Sequence, residues 1–362
     1  MIDEISRGWG YGVRMAKASP PSSAASPPKG LPTLYDVAAD AGVSPMSVSR
    51  VLNDAPNVSS DMRRRVMRSV TRLGYRRNEN ARSLRRQRSG LVGLIVTNID
   101  NPYYAQIVLG IEDALDRTGH RILVGVSHGD LAREEKLVRE FVARQVDGLV
   151  VVPCGGDESF LNPDRIGAIP VVLASREQPL VQADSVAIDD LAGSLNGVSA
   201  LIARGHRRIA FMGSSPTVST AQRRYEGYAQ ALAKAGLPIR PSLVDRTCRD
   251  IATSREAARR LVASDRPPTA IFCANNQVTV GALEVLVPQH RADPSQRRIE
   301  LLGMDNFEMA GLIDHPLTLI DHDPRSLGRS AAQLLQQRLE PDAAATPHVR
   351  MLLPTTLLDP RP

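Results

Sequence analysis

From position 89 to the C-terminus the sequence alternates two signals that few architectures accommodate. Short runs rich in Val, Ile and Leu (91–96, 121–126, 148–152, 170–174, then 208–213, 269–274, 299–303 and 317–321) are separated by stretches with helical apolar spacing (about 103–117, 134–144, 190–203, 223–234, 253–263 and 279–286). A strand apolar at nearly every position is buried on both faces, and intervening helices make such strands parallel. Two series, each of roughly a hundred residues, predict two doubly wound subdomains rather than one oversized sheet. Small ligands sit beyond the carboxyl ends of strands in open sheets of this kind, so polar residues just past those ends are binding candidates.

The front of the chain is built differently. Residues 1–30 hold no long apolar run and end in S-P-P-S-S-A-A-S-P-P-K-G, which cannot form a core. They read as a disordered arm, neither secretory signal nor membrane span, so a cytoplasmic protein is expected. Translation from Met15 rather than Met1 is a second reading of this arm.

Residues 33–53 read T-L-Y-D-V-A-A-D-A-G-V-S-P-M-S-V-S-R-V-L-N. Thr33 is placed to cap a first helix, with Asp36 three positions on to return the bond. Gly42 supplies the positive φ that ends the helix, and Val43 plugs the corner. Ser44 caps a second helix whose first turn accepts Pro45. Val48, Val51 and Leu52 face inward, leaving Pro45, Met46, Ser47, Ser49 and Arg50 outward, with Asn53 at the end. Two short helices so joined predict a helix-turn-helix, whose second helix enters the DNA major groove. Arg50 can fork onto a guanine edge. Pro45 and Met46 donate no side-chain hydrogen bonds, so specificity would rest on Arg50, apolar contacts and DNA shape. An ordinary helical hairpin is the alternative. Val58 and Ser59 open a third helix closed by Gly74.

Charge gives a separate argument. Eleven arginines lie between positions 63 and 88 against the single acid Glu79, in a chain of net charge +6, so the remainder is net acidic. Such asymmetry beside a helix-turn-helix is the footprint of phosphate contact, although some arginines will only solvate a face. The segment 78–85, N-E-N-A-R-S-L-R, is too short and charged for a stable isolated helix. It would order only against a partner.

The string 33–53, followed by V-S (58–59), L-G-Y (73–75) and N-x-x-A-R-S-L (78–84), resembles the lactose-repressor (LacI/GalR) family of bacterial transcription regulators. Later strings extend the likeness to the C-terminus: N-P-Y-Y-A (101–105), V-D-G-L-V-V-V-P (146–153), R-G-H-R-R-I-A-F-M-G (204–213), R-R-Y-E-G-Y (223–228), P-T-A-I-F-C-A-N (268–275) and L-G-M-D-N-F (302–307). The resemblance implies an α/β protein with an all-α helix-turn-helix head and a two-lobed, periplasmic-binding-protein-like core of parallel doubly wound sheets. The head would span 31–77, the hinge helix and linker 78–88 and the core 89–362. Lobe 1 would hold about 89–187 and 320–338, with strand 317–321 returning the chain to it. Lobe 2 would hold about 188–319 and 339–362. The resemblance further implies that the hinge folds when a homodimer binds a pseudo-palindromic operator in double-stranded DNA. Asn78, Ala81, Arg82 and Arg85 would then lie on DNA, with Leu84 levered into a minor-groove step. Packing between domains is the alternative for Leu84. Arg77 stands where many relatives carry proline.

For the cleft, Arg224, Asn275 and Asp305 match effector-holding positions of that family, and Tyr103 and Tyr104 follow the first strand. An arginine fork, an amide and a carboxylate can together satisfy the hydroxyls of a sugar or sugar derivative. A hydrogen-bond network between lobes is the alternative role. Ser175 stands where several sugar-binding relatives have aspartate, and Asn276 where Asn-Asp is common. These losses, with Arg176 adjacent, admit an acidic effector such as a sugar acid or phosphate.

No G-x-S-x-G, G-x-x-x-x-G-K or H-E-x-x-H is present, so no enzyme chemistry is expected. The seven histidines are dispersed, and Cys154, Cys248 and Cys273 show neither metal spacing nor even pairing. No cofactor, metal or membrane partner is expected. No heptad run follows Arg350, which favours a dimer over a coiled-coil tetramer. The leading function is an effector-controlled repressor. The alternative is a cytoplasmic small-molecule binding protein whose head serves another interaction.

Overall fold

The computed structural model describes residues 32–75, 89–295, 297–340 and 346–359. The expected N-terminal arm and the hinge residues Asn78, Ala81, Arg82, Leu84 and Arg85 lie outside the described residues. The chain divides into two compact units, one ending at Glu79 and one beginning at Asn80.

The first unit contains α1 (Leu34–Ala41), α2 (Pro45–Leu52) and α3 (Ser60–Leu73). Val37, Ala38, Val48, Val51 and Val66 are buried together. That core is small, so local chemistry matters. Thr33 and Asp36 form a reciprocal capping box on α1, while Ser44 caps α2 and Ser59 caps α3. Gly42 and Gly74 end α1 and α3 at φ of 62° and 63°, a left-handed conformation that glycine adopts without steric cost.

The second unit carries two six-stranded sheets. Lobe 1 is formed by β1 (Leu91–Val96), α4 (Pro102–Asp116), β2 (Arg121–Val126), α5 (Leu131–Ala143), β3 (Gly148–Val151), α6 (Pro163–Ile166), β4 (Val171–Ala174) and β5 (Asp184–Ile188). The chain crosses into α7 (Asp190–Ala203), β6 (Ile209–Met212), α8 (Ser219–Lys234), β7 (Val244–Asp245), α9 (Ile251–Val262), β8 (Ala270–Cys273), α10 (Asn276–Ala292), β9 (Glu300–Met304) and β10 (Leu317–Asp321). It ends with α11 (Pro324–Arg338), β11 (Arg350–Leu353) and β12 (Thr356–Leu358). The sheet orders are β11-β5-β4-β3-β1-β2 and β12-β10-β9-β8-β6-β7, all parallel except the β10–β12 pair. The inner strands β1, β3, β4, β6, β8 and β9 are buried on both faces as their composition requires, whereas β2, for all its apolar run, lies at a sheet edge and is partly exposed, as are the short β11 and β12. Val92, Leu94 and Val96 point into one core cluster and Ile95 into another.

Two expectations about the lobes are corrected. Strand 317–321 stays in the second lobe, with Leu317 opposite Leu301 and Ile320 opposite Met304 on β9. Leu317, Leu319 and Ile320 are buried there, so α11 rather than β10 carries the chain back. There α11 lies against α4 so closely that a Cβ on Gly110 would clash with the Arg325 carbonyl oxygen, and one on Gly328 with the Ile107 carbonyl oxygen. The tail beyond 338 is split between lobes. β11 pairs with β5 in the first sheet, anchored by Asp184, which accepts from Arg338 and from the Val349 amide, and only β12 joins the second. Crossings therefore fall near 189, 322 and 354. The strand β5, D-S-V-A-I, also escapes the composition signal, because two of its five residues are polar yet buried.

Candidate functional site

In the head, the outward residues of α2 form one open face. Met46 is 70% exposed and Arg50 is exposed, while Pro45, Ser47 and Ser49 are half-buried. The Ser44 hydroxyl accepts from the Ser47 amide (3.1 Å), and Asn53 Nδ2 donates to the Ser49 carbonyl (2.8 Å), tying down both ends. Arg50 Nη2 reaches the Asn57 carbonyl at 3.3 Å, a long bond that an incoming acceptor can replace. Several arginines of α3 hold the head together instead. Arg65 donates to the Ala41 carbonyl (2.6 Å), Arg63 meets Asp54 and Arg72 meets Asp40. Tyr35 on α1 is 73% exposed.

The core brings the cleft candidates together in pairs. Tyr103 and Ser175 share a hydrogen bond of 2.8 Å. Arg176 donates to the Tyr104 hydroxyl (2.9 Å) and the Pro153 carbonyl (2.7 Å). Arg224, on α8 and buried, donates through Nε to Asp190 Oδ1 and through Nη1 to the Ala274 carbonyl, both at 2.6 Å. Its Nη1 lies 3.7 Å from Asp305 Oδ2. Burial opposes the Arg224 cation, but Asp190 and Asp305 outweigh it and keep the guanidinium charged. Burial raises Asp190 to about 6 although Arg224 pulls the other way. Asn275 is occupied as the N-cap of α10, accepting from the Val278 amide (2.9 Å).

A cavity of about 560 Å³ opens beside these groups, lined from lobe 1 by Tyr103 and Gln106 and from lobe 2 by Asn276, Asp305, Phe307 and His322. Asn276 exchanges two hydrogen bonds (2.8 and 3.1 Å) with Asn101 at the start of α4, joining the lobes. Asp305 Oδ1 and both ring nitrogens of His322 have no hydrogen-bond partner, His322 Nδ1 lying 3.8 Å from Asp305 Oδ1, and the His322 side chain is only 3% exposed. Burial holds His322 below its usual pKa, hence neutral, with one ring nitrogen a donor and the other an acceptor. Ser175 and Asp305 both have left-handed backbone, φ 66° and 68°, just past β4 and β9. Such strain in a non-glycine residue, about 1–3 kcal/mol, concentrates at ligand clamps.

Asp190, Asn101 and His322 were not among the expected site residues. His322 directly follows β10, so the strand-end rule points to it once that strand is placed in the second sheet. Asp190 opens α7 at a lobe crossing, where only the tertiary fold brings Arg224 to it.

A helix-turn-helix head followed by a two-lobed core with polar groups converging between its lobes defines a ligand-responsive DNA-binding regulator. Two family models match: "Bacterial regulatory proteins, lacI family" over residues 33–78 and "Periplasmic binding proteins and sugar binding domain of LacI family" over 89–356. The chain belongs to the LacI family, as a DNA-binding transcriptional repressor rather than an enzyme. It is 31% identical to catabolite control protein A of Priestia megaterium over 88% of this chain and 96% of that one. Among solved structures it is similar to the lac repressor dimer bound to operator and the anti-inducer ONPF (25% identity, TM-score 0.77, 90% of this chain and 97% of that one). It is also similar to the transcriptional regulator CelR in complex with cellobiose (29% identity, TM-score 0.65, 91% and 98%). Among the described residues no helix is long and apolar enough to cross a membrane, and no group of His, Cys, Asp and Glu could hold a metal ion.

Proposed function

We propose that this repressor acts in the cytoplasm as a homodimer on a pseudo-palindromic operator, and that an uncharged, hydroxyl-bearing small molecule between its lobes sets operator affinity. Met46, Ser47, Ser49 and Arg50 read the major groove, and Asn78, Ala81, Arg82, Leu84 and Arg85 supply the minor-groove hinge. The observation that carries the ligand reading is the group of unpartnered polar atoms on Asp305 and His322, buried in the interlobe cavity. Hydroxyls that donate to the carboxylate and exchange bonds with a neutral imidazole answer that set. An acidic effector is disfavoured by charge. The cavity is lined by Asp305, Glu308, Asp321, Asp323 and Asp359, with no Lys or Arg lining it among the described residues. Arg176, the cation that suited an anion, is engaged by Tyr104 and Pro153. The CelR complex with cellobiose supports a sugar-type ligand.

The test pairs footprinting on the chain's own upstream region with a panel of neutral sugars and nucleosides and the matching uronic acids. Two symmetric protected half-sites, released or tightened by a neutral compound, are expected. Protection without symmetry would remove the operator reading; a response to the acids alone would remove the ligand reading.

A further inference from the structure

At the end of the second sheet opposite the interlobe cavity, the segments that lead into β8, β9 and β10 enclose a separate cavity of about 230 Å³ with the C-terminal turns of α10. Its walls combine apolar Leu286 and Ile299 with His290, Arg297, Arg298 and His315, and no acid lines it among the described residues. His315 is 1% exposed. Its Nε2 sits 2.8 Å from the Ile299 carbonyl oxygen and must carry the proton there, which leaves Nδ1 a bare acceptor with no partner. His290 Nδ1 is likewise buried without a partner. Asp314, the neighbouring carboxylate, is paired with Arg298 at 3.0 Å. Residues near the end of a helix are often cationic to suit its carbonyls, and that accounts for His290 in the last turn of α10. It does not account for Arg297 and His315, which belong to two other segments and converge on the same cavity.

We propose that this cavity is a second ligand site that takes a small organic anion, with its apolar body against Leu286 and Ile299 and its oxygens against Arg297, Arg298 and the two histidines. An oxyanion supplies the opposite charge that Arg297, unlike Arg298 with its Asp314, has from no carboxylate among the described residues, and it gives the unpartnered Nδ1 atoms of His290 and His315 a partner. In the free protein, burial, Arg298 and His290 all hold His315 neutral, while Asp314 and the Ile299 carbonyl pull the other way. A bound anion reverses that balance. His315 takes up a proton, Nδ1–H becomes a donor to the anion, and affinity strengthens as pH falls. The cavity volume suits a ligand larger than inorganic phosphate, so carboxylate and phosphate monoester are tested separately.

The experiment is calorimetric titration of the full-length protein with benzoate, phenyl phosphate and neutral benzyl alcohol, in buffers of differing ionisation enthalpy. At least one anion is expected to bind with proton uptake, more tightly at pH 6 than at pH 8, while the alcohol does not bind. Arg297→Ala and His315→Gln should each weaken the anion about tenfold, and Asp305→Asn, in the other cavity, should leave it unchanged. Equal binding of the alcohol would overturn the proposal, as would an anion affinity that Arg297→Ala leaves intact, since that anion sits elsewhere. Absence of anion binding up to about 10 mM would overturn it too. Arg297 is exposed, so its variant folds, and glutamine at 315 retains a donor for the Ile299 carbonyl.

Discussion

The head and the core of this repressor are specified over different distances along the chain. In the head, each helix start is set by residues three apart: Thr33 with Asp36, Ser44 with Ser47, Ser59 with Met62. In the core, Arg224 reaches 34 positions back to Asp190 and 50 forward to Ala274, Tyr103 meets Ser175 72 positions on, and Asn101 meets Asn276 across 175. DNA reading therefore rests on short, replaceable units, whereas the cleft rests on a network in which each member depends on the fold of both lobes. Equivalent single substitutions in the two units should therefore differ in size and in reach.

The largest effect is expected at Arg224. Truncation to alanine leaves Asp190 and Asp305 buried without their cation, and removing one partner of a buried pair costs about 3–5 kcal/mol. The loss should appear as a lowered melting temperature of the core together with a lost effector response, while the head keeps its operator contacts. Lysine at 224 restores charge but not the two-pronged geometry, so it should recover stability in part and response hardly at all. A variant Arg224→Ala that melts like the parent would show that the network is not integral to the core.

This contrast also explains what was legible. The three caps, both helix-ending glycines and the inward valines of the head follow from rules that act within one helical turn, and Thr33, Gly42, Ser44 and Gly74 stand where those rules put them. The parallel two-sheet architecture was legible from strand composition. What was not legible is which sheet a strand joins. The apolar run at 317–321 fits either lobe, and its place is decided by pairing with β9. Asp190 was hidden for the same reason, since nothing within its own turn records that Arg224 will arrive. Arg176 shows the converse: a cation beside the cleft in sequence whose donors the fold has directed to Tyr104 and Pro153.

A middle-sized effect separates the two units by pH. Glu134, buried in lobe 1, accepts the Cys154 amide through Oε2 (3.0 Å), while its Oε1 has no partner. Burial pushes it up to about 7. A folded pKa above the unfolded value means stability fully present below the unfolded pKa, near 4.5, and lost as pH rises through about 7. Asp190, raised to about 6, acts with the same sign. The core should thus melt lower at pH 8 than at pH 5.5, and Glu134→Gln should recover about 3 kcal/mol at pH 8 but only about 1 kcal/mol at pH 5.5, which already lies above the unfolded pKa. In the head the exposed Asp36 is shifted the opposite way, downward by its bonds from Thr33, so its contribution is lost only as pH falls. A pH dependence of core melting that survives Glu134→Gln would move the cause to another group.

The smallest effect tests the local end of the comparison. Thr33→Ala removes the hydroxyl that accepts from the Asp36 amide at 3.3 Å and donates to its carboxylate at 2.7 Å. The Thr33 amide keeps its own bond to Asp36 (2.7 Å), so half of the capping box survives. The expected cost is about 1 kcal/mol, read by hydrogen exchange as faster opening of the α1 amides Val37 and Ala38 in the full-length protein. Because Val37 and Ala38 share a core with Val48 and Val66, exchange in α2 and α3 should accelerate by a similar factor, since so small a unit opens cooperatively. Amides of β1 and β8 should not change. Loss confined to the first turn of α1 would mean that even the head's helices are independent of one another. Acceleration reaching β1 would mean that the two units share a folding equilibrium, and the contrast in reach between head and core would have to be given up.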